Sequence, residues 1–237
     1  MTELTFVAGG SKGLGVELVN QFTEQGHQVL EFSRSGQGQQ HIACDFADPN
    51  SCQATFAHTF AQHRADDGIH LLINTATLAP FGPLSQADPA VITQHLAINV
   101  TSTLLLIRAF LAAYQDTDCA KTIAYISSGA ARRAIPGLAV YSASKAFFER
   151  YIDTLATEQQ DQTHPVRCLV INPGVMNTDM QAEIRAQDKT DFPMVDMWQE
   201  FHATGQLAAP QDIAAVCLRL LQGEGENGGY YTAQEWL

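Results

Sequence analysis

Tyr141 and Lys145 stand four residues apart in the run Tyr141, Ser142, Ala143, Ser144, Lys145, and Ser128 lies thirteen residues before Tyr141. On a helix, positions i and i+4 share a face, so the phenol and the ammonium are neighbours. A positive charge beside a phenol favours the phenolate and lowers its pKa. Such a tyrosine can give or take a proton near neutral pH. Ser128 sits where Tyr125, Ile126, Ser127, Ser128 and Gly129 read as the end of a strand, and its hydroxyl can bond the same oxygen as the phenol. Tyr-x-x-x-Lys is common by chance, so the reading gains its weight from a second motif.

That motif is Gly9, Gly10, Ser11, Lys12, Gly13, Leu14, Gly15, directly after the apolar run 4–8. A strand, a glycine-rich turn and a helix start form a phosphate cradle. Gly9, Gly13 and Gly15 serve a tight turn, close backbone approach to a pyrophosphate and close helix packing. The free N–H groups and positive dipole end of the helix then face the phosphates. An ordinary turn is the bland alternative, and the strand–turn–helix context argues against it. About twenty residues on, where an NAD site commonly carries a carboxylate for the ribose, the chain reads Ser33 and Arg34. These two can bond a 2′-phosphate, and Lys12 adds a second positive charge. NADPH/NADP+ is therefore the expected cofactor. Glu31 lies within the strand and reads as structural. A solvated loop charge is the plain reading of Arg34, weakened by its pairing with Lys12 in a chain of net charge −12.

Elements with the right alternation surround these residues. Strands are expected at 4–8, 28–33, 41–44, 69–74, 122–127, 166–172 and 230–232. Helices are expected at 13–25, 50–63, 89–114, 140–160 and 210–221. Short apolar runs separated by helices of this length predict an α/β fold: a doubly wound, Rossmann-type parallel sheet of about seven strands with helices on both faces. Its crevice lies at the carboxyl ends of the strands. No repeat or linker divides residues 1–237, so one dinucleotide-binding domain is expected. The segment 177–205 holds two short helices and no strand, with Met180, Ile184, Phe192, Met194, Trp198 and Phe201. It reads as a lid over the crevice, or else as a surface helix pair with one apolar face.

Composition removes other classes. A pI of about 4.9 speaks against nucleic acid and anionic membranes as partners. The apolar run 104–114 contains Arg108 and is too short to span a bilayer. The five cysteines form no C-x-x-C pair and read as free thiols of a reducing, cytoplasmic setting. The eight histidines show no H-E-x-x-H or Cys/His ligand spacing, so no metal site is expected. The N-terminus has no basic region and does not read as a signal peptide.

With these motifs the chain resembles the short-chain dehydrogenase/reductase family, from Leu4 to its C-terminus. The family's T-G-x-x-x-G-x-G appears with Ala8 in place of threonine. Its N-N-A-G appears as Asn74, Thr75, Ala76, Thr77, with Thr77 where the family has glycine. The resemblance implies Ser128, Tyr141, Lys145 and Asn99 as catalytic residues, Asn99 through a helix distortion and a proton relay. It implies cofactor contacts at Gly9, Ser11, Lys12, Gly13, Leu14, Gly15, Ser33 and Arg34, at Asp45 and Phe46, and at Asn74 and Ala76. Tyr141 and Lys145 would touch the cofactor as well. Pro173, Gly174, Val175, Met176, Asn177 and Thr178 match the family's Pro-Gly-x-x-x-Thr, which implies contacts from Pro173, Gly174, Val175 and Thr178. Thr178, Asp179, Met180 and Gln181, then Ile184 and Arg185, are similar to the benzil reductase and sepiapterin reductase subgroup, as is the run on to Gly205, Gln206 and Leu207. The expected function is NADPH-dependent reduction of a ketone, with α-diketones favoured. The alternatives are a 3-oxoacyl carrier-protein reductase and a non-catalytic NADP-sensing protein. The resemblance implies a homodimer or homotetramer built on the helices bearing Asn99 and Tyr141.

Overall fold

The computed structural model describes residues 3–237. Seven parallel strands form one sheet, in the order β3-β2-β1-β4-β5-β6-β7. They are β1 (Leu4–Ala8), β2 (Gln28–Ser33), β3 (His41–Ala43), β4 (Gly68–Ile73), β5 (Ala120–Ile126), β6 (Arg167–Asn172) and β7 (Tyr230–Thr232). The order reverses beside β1, between β2 and β4, which opens a crevice at the carboxyl edge. The doubly wound fold expected from the sequence is the fold observed.

Strand alternation explains the two cores. Phe6, Phe32, Leu71 and Tyr125 point to one face. There they meet α2 (Pro49–Gln62), α4 (Ser102–Tyr114) and α5 (Ala139–Gln159) through Phe56, Phe60, Phe110 and Phe148. Val7, Val29, Leu72 and Ala124 point to the other face. They meet Leu18 and Phe22 of α1 (Leu14–Glu24), and Ile213 and Val216 of α8 (Pro210–Arg219). Burying each such side chain is worth about 1.5–3 kcal/mol, so both layers are held chiefly by apolar contact. Pro49 and Asp48 start α2: the Asp48 carboxylate accepts from the Ser51 N–H at 3.1 Å.

The helix expected over 89–114 is continuous but not uniform. α3 (Pro89–Leu96) passes through a π turn at Ala97–Thr101 before α4 begins. The 104–114 run taken above as too short for a membrane is thus part of a 26-residue helix, Pro89–Tyr114, long and apolar enough to cross one by length and composition. In this fold Leu106, Ile107, Phe110 and Tyr114 are fully buried under the sheet. The 210–221 helix also ends earlier than expected, at Arg219, where a π turn at Leu220–Glu224 bends at Gly223. Segment 177–205 forms α6 (Asp179–Arg185) and α7 (Val195–Ala203) with no strand between them.

Candidate active site

The glycine turn lies between β1 and α1. Gly9 has φ +80° and Gly13 φ +51°, a region that side-chain-bearing residues avoid. At Gly15 a Cβ would come within 1.9 Å of the Gly9 carbonyl oxygen, so the helix could not approach the turn. Gly10, which the sequence reading left without a role, is equally confined: a Cβ there would meet the Glu31 side chain at 2.5 Å. α1 starts at Gly13 without a side-chain cap. Gly15 N–H turns back to the Lys12 carbonyl at 3.0 Å, but no side chain covers the helix start, so its positive dipole end is open to an anionic ligand and the cradle fits a dinucleotide.

The remaining cofactor candidates rim the same edge. Lys12, Arg34 and Asp45 are exposed. Ser33 is buried; its hydroxyl donates to Glu31 Oε1 at 3.1 Å and accepts from the Gly36 N–H at 3.0 Å. His41 Nδ1 lies 2.5 Å from the same Glu31 oxygen. Glu31 thus accepts from the Ser33 hydroxyl and lies against His41, a role inside the sheet, while Lys12 and Arg34 are the exposed cations of this edge. Asn74 donates from Nδ2 to the Gly9 carbonyl at 3.2 Å, locking the end of β4 to the turn. Leu14 and Phe46 are core residues at 2% and 5% exposure, so their side chains serve packing and only their backbone is left for a ligand. Ser11 and Ala76 are partly exposed at the turn and after β4. Pro173 is buried, while Gly174 (φ +73°) and Val175 lead into Thr178. The Thr178 hydroxyl caps α6 by accepting from Gln181, and it keeps its own proton to donate. Its methyl group lies 3.2 Å from where a Gly13 Cβ would stand, so this strand end meets the glycine turn.

Ser128 follows β5, and Tyr141 and Lys145 rise on α5. The Ser128 hydroxyl, which accepts from the Ala130 N–H at 3.2 Å, is near enough to pull the Tyr141 pKa down, so the three groups share one corner. Lys145 Nζ sits 5.8 Å from the Tyr141 ring centre and donates to the Ile126 carbonyl at 2.7 Å. The expected drop in the tyrosine pKa is absent: burial pushes Tyr141 up to about 12, against a smaller downward pull from Ser128. Burial likewise drives Lys145 down to about 7, opposed by Glu149. Desolvation outweighs the local charges here, because Tyr141 is only 5% exposed and Lys145 3%. The phenol is therefore the standing form, ready to donate rather than to accept.

Asn99 lies inside the π turn, so the expected distortion is present. Its Oδ1 accepts from the Thr77 N–H at 2.8 Å and its Nδ2 donates to the Thr77 carbonyl at 2.9 Å. Both bonds go to backbone, and Thr77 therefore replaces the family glycine without cost to this link. Asn99 Nδ2 also donates to His95 Nε2 at 3.0 Å. His95 was missed in the sequence. It is wholly buried, with Nδ1 2.6 Å from the Ala79 carbonyl and Nε2 3.1 Å from the Ser144 hydroxyl. Donation to Ala79 fixes the tautomer with Nε2 as acceptor. Burial holds its pKa below the usual histidine value, with the Lys145 charge a smaller push the same way. The signal was its place one helical turn before Asn99.

The segment 177–205 closes this corner. Ile184, Phe192 and Val195 join Leu78, Ala130, Leu138 and Tyr141 in one apolar cluster, with Met180, Met194 and Trp198 packed against it. The Phe201 ring lies 6.1 Å from that of Trp198. The ends of the segment are tied together. Asn177 N–H donates to the Ala208 carbonyl at 3.0 Å, and Ala208 N–H to the Val175 carbonyl at 2.9 Å, a lone parallel bridge at Met176 and Ala208.

Known proteins resemble this chain in sequence and in fold. The family model described as short chain dehydrogenase matches residues 3–189. A benzil reductase, (S)-benzoin forming, from Bacillus subtilis (strain 168) is 32% identical over 99% of this chain and 100% of its own. A sepiapterin reductase from Bos taurus is 31% identical over 67% of this chain and 59% of its own. A solved short chain dehydrogenase/reductase from Saccharomyces cerevisiae superposes with a TM-score of 0.83 at 21% identity, covering 98% of this chain and 96% of that one.

Proposed function

Because the chain belongs to the short-chain dehydrogenase/reductase family, in its benzil and sepiapterin reductase subgroup, we propose that it reduces ketones with NADPH and prefers α-diketones. The observation that carries this reading is the buried, protonated Tyr141 beside Ser128, inside an apolar wall built by Leu138, Ile184 and Phe192. NADPH, when bound, supplies the hydride that reduces the carbonyl carbon. Ser128 bonds and polarises the carbonyl oxygen, and Tyr141 gives that oxygen its phenolic proton. Lys145 holds the ribose and recharges Tyr141, while Asn99 keeps the supply of protons aligned. The apolar cluster excludes water and strengthens each of these bonds. Lys12 and Arg34 support the phosphorylated cofactor, since both are exposed cations at the rim of the glycine turn.

The rivals fare less well. A 3-oxoacyl carrier-protein reductase needs a basic patch for an acidic carrier, and a net charge of −12 opposes one. An NADP-sensing protein has no need of Ser128, Tyr141, Lys145 and Asn99 in one corner. Leu96 and Phe147 are exposed at 44% and 43% on α3 and α5, which supports subunit contact through these helices and a dimer or tetramer. Five free cysteines accord with a cytoplasmic setting. The test is turnover of a carbonyl panel, from benzil to simple ketones and acyl thioesters, with NADPH and NADH in parallel. Benzil with NADPH should give the highest kcat/KM. Preference for NADH, or for acyl thioesters, overturns the proposal.

A further inference from the structure

At the opposite edge of the sheet lies a second cluster of chemistry-bearing groups. Glu3 precedes β1, His27 precedes β2, and His70 is the third residue of β4. The register pairs Thr5 with His70 and Leu4 with Gln28, so the three segments run side by side. Glu3 Oε2 is 3.0 Å from His70 Nε2 and 3.3 Å from His27 Nε2, and all three donor atoms lie within 4.8 Å of one another. This edge is separated from the glycine turn by the length of β1, roughly 15 Å at 3.3 Å per residue.

We propose that Glu3, His27 and His70 form a binding site for a divalent cation of the zinc class. Ligand bonds of 2.0–2.1 Å in a tetrahedral site place donor atoms about 3.3 Å apart. The two contacts to Glu3 already match that spacing. The donor set, two imidazoles and one carboxylate, suits zinc and its neighbours rather than magnesium or calcium. His27 is oriented from behind: Thr5 Oγ1 lies 2.9 Å from its Nδ1, and the hydroxyl can accept that N–H when Nε2 binds metal. His27 and His70 are each 6% exposed and Glu3 is 42% exposed, so an ion can enter past Glu3 and be held by the buried rings. The two imidazoles converge on one carboxylate oxygen, and His70 Nδ1 lies buried with no partner. The ion would tie β1, β2 and β4 together at the edge away from catalysis, a structural role.

The experiment uses the full chain without a histidine tag, stripped with chelator. Cobalt(II) is titrated in while d–d absorbance is followed, and thermal unfolding is recorded with and without zinc. Uptake of one cobalt ion with low-coordinate bands, and a higher Tm with zinc, are expected. His27→Gln and His70→Gln should each weaken binding at least about tenfold, since loss of even an outer-shell partner costs 10- to 100-fold. Turnover and NADPH binding should be unchanged in both. Glu3→Gln, at a partly exposed position, tests the same site should a buried histidine variant fail to fold. No uptake by the parent chain overturns the proposal. So does uptake unchanged in Glu3→Gln or in either folded histidine variant, which would assign the ion elsewhere, for example to the facing thiols of Cys44 and Cys52, 3.2 Å apart.

Discussion

Replacing Tyr141 by phenylalanine removes one oxygen from a ring that is 5% exposed and packed against Leu138, Ile184 and Phe192. The ring and its apolar contacts stay. The hydroxyl can form at most one weak bond with Ser128, so its loss costs no more than about 0.5–1.5 kcal/mol. In a domain of this size that lowers Tm by roughly 1–6 °C. The chemical loss is larger. With a pKa of about 12, the phenol is ionised in only about one molecule in 10⁵ at pH 7, so nearly every enzyme molecule carries the proton that the variant lacks. General acid catalysis contributes about 10²–10⁴-fold, or roughly 3–5 kcal/mol of barrier. Stability and catalysis are thus separable: kcat for benzil should fall at least 100-fold while the fold persists. NADPH affinity should change little, because the glycine turn and the α1 terminus are untouched. The assay is the loss of NADPH absorbance at saturating benzil, alongside cofactor titration by fluorescence. Turnover within threefold of the parent, with intact cofactor binding, would refute Tyr141 as the proton donor.

Four further outcomes are expected. Arg34→Ala should weaken NADPH about 10- to 150-fold, the worth of one charge-assisted bond, and NADH much less; equal losses in titrations of both would remove the 2′-phosphate assignment. NADPH affinity should decline as pH rises through about 7, where Lys145 loses its charge, and Lys145→Gln should be weak and flat across the same titration. Trp198→Ala should lower kcat/KM for benzil by about 5- to 30-fold, equivalent to 1–2 kcal/mol, and leave butane-2,3-dione almost unaffected; Phe201→Ala should do less, and a mere fall in Tm would mark the helix pair as packing only. His95, buried and held below its unfolded value of 6.5, resists protonation only in the folded chain. Its stability contribution is therefore complete above pH 6.5 and should fade at about 1.4 kcal/mol per unit as pH drops below that, with a shallower urea-derived slope in His95→Gln.

The sheet was legible because each strand is a short apolar run and each helix repeats every three to four residues. All seven strands lie within two residues of where those patterns end. The corner of Ser128, Tyr141 and Lys145 was legible because two members share a helix and the third ends a strand. His95 was not, since a lone histidine in an apolar helix shows nothing until Asn99, Ser144 and Ala79 close around it. The tyrosine pKa was misjudged for a related reason: spacing reveals the lysine, whereas the depth of burial comes from 177–205 and other distant segments. Glu3, His27 and His70 sit on three different segments, and no compact spacing announces them. The oxygen of Ser33 was counted toward a phosphate because Glu31, two residues away, and His41, across the sheet, cannot be placed around it from sequence alone.

The bridge between Met176 and Ala208 has a consequence for how such a protein can change. The backbone leaves the sheet at one point and returns within hydrogen-bonding distance of it, so everything between hangs from a closed neck. Doubling the length of such an excursion adds only about 0.6 kcal/mol of closure entropy. The cradle at Gly9 and the sheet beneath it feel mainly the neck, whereas Tyr141 also feels the wall that Ile184, Phe192 and Val195 build. The stretch can then be exchanged as a unit: a graft from a relative that keeps Asn177 and Ala208 paired would bring a new wall over Tyr141, and with it a new depth of burial for the phenol, while the sheet stays as it is. Substrate range can then drift by whole-segment exchange, faster than the chemistry it serves.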